Sequence, residues 1–427
     1  MAAAAAAVDL KRDSKIFSLE GKGLKLDSTE DIEKHVGPLR QMDDVVEIRL
    51  QGNTLGVEAC RVLGEIIQTK KNLQVANFAD IFTARLLSEI PKALTYLLQA
   101  LLTLPNLHEI NLNDNAFGLN TSVPLIDFLS SHVPLQHLIL NNNGLGPESG
   151  IKVAEALVKL HAKKIEARKA GIEVPDLETI ICGRNRLESA SMMAWAKVYS
   201  LHTSVKKVKM VQNGIRSIGI YYLLNDGLKY AKGIRVLDLE DNTFLNKGSS
   251  ALANVVPGWT ELQELGIGDC MLGMKGNVML VEALEKGKNR KLEVLHLQYN
   301  QLNSSVFEKL VSVARDSLPN LRKVAIEGNK FSGKNKNVEI LQQLLLDRKE
   351  NLGGASTSED DWGLDPLESD DSDESDESES DESDPDDDQI RQRLSEMAKE
   401  AFGAPTVQLK ASDNIDEVKN KLAALEI

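Results

Sequence analysis

One pattern recurs along this 427-residue chain and restricts its fold more than any other feature. Apolar residues stand at positions 1, 4 and 6, asparagine at position 9 and an apolar residue at position 11. Copies begin at Val45 (VVEIRLQGNTL), Leu107, Leu135, Leu177, Val205, Ile234, Leu262, Leu292 and Leu321, with a degenerate copy at Leu73 (LQVANFADIFT). Successive starts lie 28, 34, 28, 42, 28, 29, 28, 30 and 29 residues apart. A unit this short cannot bury its own apolar face. Tandem copies must stack so that each covers the next.

The spacing and the L-x-x-L-x-L-x-x-N-x-L signature are those of leucine-rich repeats. Positions 1, 4 and 6 predict inward side chains on and around a short parallel strand. The asparagines at 53, 115, 143, 185, 213, 242, 300 and 329 predict amides that satisfy buried backbone groups where the chain leaves the strand. Cys270 takes that place in one repeat and Cys182 an inward position 6, so both read as structural. Amphipathic stretches at Val57–Ile67, Ile151–Leu160, Gly219–Leu228 and Val306–Val313 predict a helix after each strand. The expected fold is α/β: a horseshoe-like solenoid of the ribonuclease-inhibitor kind, with strands on the concave face and helices outside. The 42-residue repeat carries about 14 extra residues near His161–Val174, whose Lys163, Lys164, Arg168 and Lys169 read as a solvated helix end. Residues 1–44 are expected to be a leader and cap, 45–350 the repeat domain, and 335–350 its last outer helix.

Charge separates the tail from this body. Residues 359–388 hold 18 Asp or Glu and no Lys or Arg, within a chain of net charge -14. A run of this kind cannot bury a core and repels itself, so 351–388 reads as a disordered acidic Ser/Asp/Glu tract. Residues 389–427 return to mixed charge with helical spacing and read as a short appendage. The remaining body is nearly balanced, which argues against nucleic-acid binding. The only cysteines, Cys60, Cys182 and Cys270, permit neither a disulfide framework nor a zinc site and suggest a reducing compartment. No apolar run approaches the roughly 18 residues of a membrane span. No phosphate-binding loop, nucleophile elbow or metal motif occurs. Any catalysis would therefore be lent to a partner.

The residues beside the structural asparagine are where recognition is expected. At position 8 they are Gly52, Asp114, Asn142, Arg184, Gln212, Asp241, Asp269, Tyr299 and Gly328, a mixed set suited to a charged protein surface. Lys206, Lys207 and Lys209 mark one strand as basic; Asp238, Glu240 and Asp241 mark the next as acidic. The repeat starting at Leu73 breaks the template: Ile81 stands at its asparagine position, in a turn reading Phe78-Ala79-Asp80-Ile81-Phe82-Thr83-Ala84-Arg85. A repeat that departs from its own rule is a candidate functional element.

Here the sequence resembles a particular family. FADIFTAR, followed by EIPKALTYLLQALL, NLNDNAFG, PLIDFLSSH, LNNNGLGP, CGRNRLE, KMVQNGIR and LEDNTF, is similar to the Ran GTPase-activating proteins over roughly residues 16–350, and the acidic tail also matches. The resemblance implies an activator that grips Ran–GTP with its loop edge, without an arginine finger. It would order the GTPase's own glutamine with the help of an activator asparagine. That asparagine falls on Asn142 in LNNNGLGP, and the family's FTxR arginine on Arg85. Asp80, Asp114, Arg184, Lys209, Arg216 and Asp241 are the residues expected to meet the partner. GTP and magnesium would belong to Ran, so no cofactor is expected here, and a Ran-binding accessory protein stands as a second expected partner. The chain is expected to act as a monomer in nucleocytoplasmic transport, in the cytoplasm or at the cytoplasmic side of the nuclear envelope. Relatives with a large C-terminal or N-terminal targeting domain differ from it, so pore tethering is not implied. Two other classes stay open on the repeats alone: an acidic-tailed scaffold, histone-binding or inhibitor module, and an enzyme with its own site.

Overall fold

The computed structural model describes residues 15–118, 121–351 and 362–365. The helical appendage expected at 389–427 and most of the acidic tract lie outside the described residues.

Each repeat contributes one three-residue strand, always from positions 3–5. These are β3 (Glu47–Arg49), β5 (Val75–Asn77), β6 (Glu109–Asn111), β7 (His137–Ile139), β8 (Thr179–Ile181) and β9 (Lys207–Lys209), then β10 (Val236–Asp238), β11 (Glu264–Gly266), β12 (Val294–His296) and β13 (Lys323–Ala325). Neighbours pair in parallel with matching positions opposed, as in Ile110↔Leu138 and Leu138↔Ile180. The sheet reaches further at both ends. At the start, β1 (Ile16–Ser18) pairs with β3, inside the stretch expected to be a cap. At the far end, β14 (Gly363–Leu364) pairs with β13, which makes twelve strands among the described residues. A small second sheet joins β2 (Lys25–Leu26) to β4 (Thr54–Leu55).

Helices follow the strands. They are α1 (Thr29–Gln41), α2 (Val57–Ile67), α3 (Ile90–Leu102), α4 (Ser122–Leu129), α5 (Gly146–Lys169) and α6 (Met192–Leu201), then α7 (Ser217–Tyr222), α8 (Leu245–Val255), α9 (Gly273–Glu285), α10 (Ser304–Asp316) and α11 (Lys336–Asn351). One continuous core runs between helices and sheet, built from positions 1, 4 and 6 (Leu107, Ile110 and Leu112, all fully buried) and from helix residues such as Leu97, Leu157 and Leu252. Positions 3 and 5 point to the sheet's other face. The chain is therefore an α/β leucine-rich-repeat fold with a parallel sheet and outer helices.

The 42-residue repeat places its extra residues in α5, which runs for 24 residues. Lys163, Arg168 and Lys169 are exposed there, as expected, but Lys164 is not. Its side chain is buried, and its Nζ donates to the carbonyls of Val133, Leu135 and Pro175 at 2.6, 2.7 and 2.7 Å. Burial pulls its pKa down to about 8, so at neutral pH it remains the ammonium that donates to all three oxygens. Helical phase brings Lys164 onto the inner face of α5. That is why it differs from Lys163 beside it.

The acidic tract also contains order. Trp362–Asp365 lies along β13: the Gly363 amide donates to the Arg322 carbonyl at 2.9 Å, and Asp365 pairs with Lys323 at 3.3 Å. Trp362 stacks near the Arg322 guanidinium. An open parallel edge attracts any strand able to pair with it. Trp362 and Leu364 are apolar residues in this otherwise acidic run, which suits them to the edge.

Candidate functional site: the loop edge of the repeats

Where each strand ends, position 8 adopts the left-handed conformation. Asp80, Asp114, Asn142, Arg184, Gln212, Asp241, Asp269 and Tyr299 have φ between 45° and 60°, and glycines serve at 52 and 328. Each turn sends its backbone N–H to the next repeat: Asp114 N to Asn141 O at 3.0 Å, Asn142 N to Gly183 O at 3.0 Å, Arg184 N to Val211 O at 2.8 Å. The backbone is spent on stacking, so the position-8 side chains turn outward along one edge. Asp114, Asn142, Arg184 and Asp241 are all exposed there. Asp and Asn tolerate this conformation better than other residues with a side chain. Their abundance at position 8 therefore has a backbone reason, which the sequence reading missed. Arg184 has no such reason.

The Asn141-Asn142-Asn143 run divides its labour. Asn143 is fully buried; its Nδ2 donates to Leu112 O and Asn141 O, and its Oδ1 accepts from Asn115 N at 3.0 Å. The same ladder runs on through Asn185, Asn213 and Asn242. Asn141 accepts from Gly183 N at 2.5 Å, and its own N–H donates to Asn113 Oδ1 at 2.6 Å. A Cβ on Gly183 would stand 3.1 Å from Asn141 Oδ1, so glycine leaves room for that bond. Only Asn142 is exposed, and its Nδ2 donates to Asp114 Oδ1 at 2.7 Å.

The template-breaking repeat is folded tightly. Phe78, Ile81 and Phe82 are core residues, and Ile81 N still donates to Asn115 Oδ1 at 3.0 Å. Asp80 Oδ1 accepts the Thr83 hydroxyl. Ala84 is left-handed at φ 62°, which turns Arg85 back over the preceding repeat. Its Nε donates to Thr54 Oγ1 at 2.9 Å, its Nη2 to Thr54 O at 2.9 Å and its Nη1 to Asp27. The Arg85 side chain is only 9% exposed. Its hydrogen bond holds the Asp27 carboxyl below the ordinary range. Asp27 and Thr54 are site residues that sequence reasoning missed; Asp27 lies 58 positions from Arg85, and no local pattern links them. Leu86 and Leu87, next in the chain, are 67% and 59% exposed.

The structure thus brings Asp80, Asp114, Asn142, Arg184 and Asp241 onto one edge and turns Arg85 inward. Arg216 sits exposed at the start of α7. Lys209 stands apart, at position 5 on the sheet's open face, bonded to Asp238 at 3.1 Å and Glu264 at 2.8 Å. Glu240 accepts from His296 Nδ1 at 3.0 Å beside them. This network lies over Gly266 and Gly268, where a Cβ would strike Asp238, Glu240 and Gln298.

Cys60, Cys182 and Cys270 are free and buried, and burial raises all three thiol pKa values. Among the described residues no cluster of three metal-ligating groups occurs, and no helix is long and apolar enough to cross a membrane. What the edge offers is an array of outward polar groups on a backbone that cannot easily move.

Comparison with known proteins gives this arrangement a context. A family model described as Leucine Rich repeat matches residues 288–305. The chain is 38% identical over 343 residues to Ran GTPase-activating protein 1 of Saccharomyces cerevisiae, covering 78% of this chain and 83% of that protein. It is 33% identical over 318 residues to the Ran GTPase-activating protein of Drosophila melanogaster, covering 74% of this chain and 52% of the fly protein. Among solved structures it is similar to an internalin of Listeria monocytogenes, with a TM-score of 0.41, 15% identity and coverage of 71% of this chain and 73% of that one.

Proposed function

The chain belongs to the Ran GTPase-activating protein family, and from that premise we propose that it stimulates GTP hydrolysis by Ran, presenting its position-8 edge to the GTPase. The observation that carries this reading is Asn142: alone of three consecutive asparagines it is exposed, and it occupies the place where the family resemblance sets the catalytic asparagine. GTP and magnesium stay with Ran. The activator contributes position and electrostatics, and it acts in the cytoplasm on Ran–GTP that has left the nucleus.

Arg85 is a clamp in this proposal, with no role as a finger. Activation by proteins that insert an arginine reaches about 10⁵-fold, or roughly 7 kcal/mol of barrier. An inserted Arg85 would first have to abandon Thr54 and Asp27. Holding the Asp80–Arg85 loop fixed is the role its bonds support. The same barrier must then be lowered by preorganised groups that orient Ran's own residues and the attacking water.

The test is single-turnover GTP hydrolysis by Ran at saturating activator, beside binding to Ran loaded with a non-hydrolysable nucleotide. The wild-type chain should accelerate hydrolysis by orders of magnitude. Asn142→Ala should slow the hydrolysis step at least about tenfold with little change in binding. Arg85→Ala should lose activity; Asp27→Ala, which leaves the two bonds to Thr54, should lose less, and the Asp27→Ala/Thr54→Val double variant more than Asp27→Ala alone. If the Asp27→Ala/Thr54→Val double variant keeps full rate while Arg85→Ala abolishes it, Arg85 acts on the phosphate and the clamp reading is wrong. No acceleration of Ran by the wild-type chain would remove the function itself.

A further inference from the structure

We infer that Asp114 is the positioning residue for Asn142, fixing which end of its amide faces the partner. The inference rests on the proposed role of Asn142 and adds a residue to it. A carboxylate accepts and never donates when ionised. The 2.7 Å bond between Asp114 Oδ1 and Asn142 therefore takes the amide nitrogen. That orients the amide: Nδ2 is held back along the edge, and Oδ1 is left as the outward acceptor.

Both residues are set for this by their backbones. They occupy position 8 of adjacent repeats, left-handed at φ 60° and 52°. Asp114 N and Asn142 N are each bonded to the following repeat, at 3.0 Å in both cases. On either side of Asn142 the two other asparagines are bonded internally, so the loop has little freedom to tilt. An unrestrained exposed asparagine would sample several rotamers and both amide faces. Held in one orientation, its carbonyl oxygen can accept from a side-chain amide or from the attacking water, the groups that GTPase sites must align. Supplying that acceptor without reorganisation is where a fixed edge aids the transition state. An Asp114 that merely docked the GTPase would act on binding, whereas a positioning residue acts on the step after it.

The test compares Asp114→Ala, Asp114→Asn, Asn142→Ala and the Asp114→Ala/Asn142→Ala double variant in the full-length chain. Hydrolysis is read in single turnover at saturating activator, affinity with Ran bound to a non-hydrolysable nucleotide, and folding by thermal midpoint. Asp114→Ala is expected to slow hydrolysis about tenfold while changing affinity less than about twofold. Asp114→Asn, which keeps an acceptor oxygen, is expected to recover most of the rate. In the Asn142→Ala background, loss of Asp114 should cost less than about twofold more, because its target is gone. A loss that appears in affinity, or that persists in full without Asn142, would make Asp114 a docking residue and overturn the inference. Full-rate hydrolysis by Asp114→Ala beside a slow Asn142→Ala overturns it while leaving the proposed function intact. Full-rate hydrolysis by both overturns the assigned edge.

Discussion

Adjacent asparagines in this chain do unlike things, and the difference is set by which side of the turn each faces. Asn143 supplies its whole amide to three backbone groups, two of its bonds fully buried and the one to Asn141 O partly so. Asn143→Ala should therefore lower stability by about 1–3 kcal/mol through unpaired buried polar groups. Equilibrium urea unfolding reads that loss as a lower midpoint with an unchanged slope. Asn142→Ala removes one exposed bond and puts alanine in a left-handed turn, so it should cost less than Asn143→Ala, at most about 1 kcal/mol. Equal midpoints for the two variants would mean that the buried ladder contributes little. The template asparagines were legible from spacing alone, because burial recurs with the repeat. The bonds from Arg85 to Thr54 and Asp27 were not, since they join residues 31 and 58 positions apart.

Strands and helices followed the apolar period closely: α2 spans Val57–Ile67, the stretch whose spacing predicted it. What the period could not express was chemistry between strands. Lys209 on β9, Asp238 on β10, Glu264 on β11 and His296 on β12 meet only because the sheet sets equivalent positions side by side. The hydrogen bond to Glu240 raises the His296 pKa above its ordinary 6.5, against burial that lowers it, with Glu264 and Asp238 adding to the rise. A raised folded pKa contributes stability that is full below 6.5 and is lost as pH rises through the folded value. Wild-type and His296→Gln chains should thus differ most in unfolding midpoint below pH 6.5, and the difference should shrink as pH rises above it. A difference that stays constant with pH would show that His296 stabilises by packing rather than charge. Two further charged groups face the same pair: burial raises the Asp238 pKa, and at Lys209 burial is outweighed by the bond to Glu264 and the neighbouring acids, which raise its pKa.

At the scale of the molecule, stability is a sum of repeats and the interfaces between neighbours, so the ends of the stack matter. The start is closed by β1 and α1, and the far edge of the sheet by β14. A chain ended after Asp365 should keep the wild-type midpoint and its activation of Ran at moderate salt, with the lost acidic residues altering only a salt-dependent rate of encounter. A chain ended after Asn351 should expose the Arg322 and Val324 carbonyls and self-associate, as an uncovered strand edge does. Size-exclusion with light scattering separates the two. A monomeric chain ended at Asn351 with an unchanged midpoint would show that β14 is dispensable.

The sequence by itself determined the repeat, the burial of every position 1, 4 and 6, the helix after each strand and the family. All of these are periodic, and a period is a local property that a one-dimensional reading can see. Tertiary structure decided the rest. It turned Arg85 inward to Asp27, put Lys164 beneath three carbonyls, laid Trp362–Asp365 on the sheet edge and set Asp114 against Asn142. Each is a contact made at one place in the stack, across 11 to 58 residues, between groups whose types alone do not name their partners. Stacking brings such groups within reach. Distance and direction in three dimensions then choose among them.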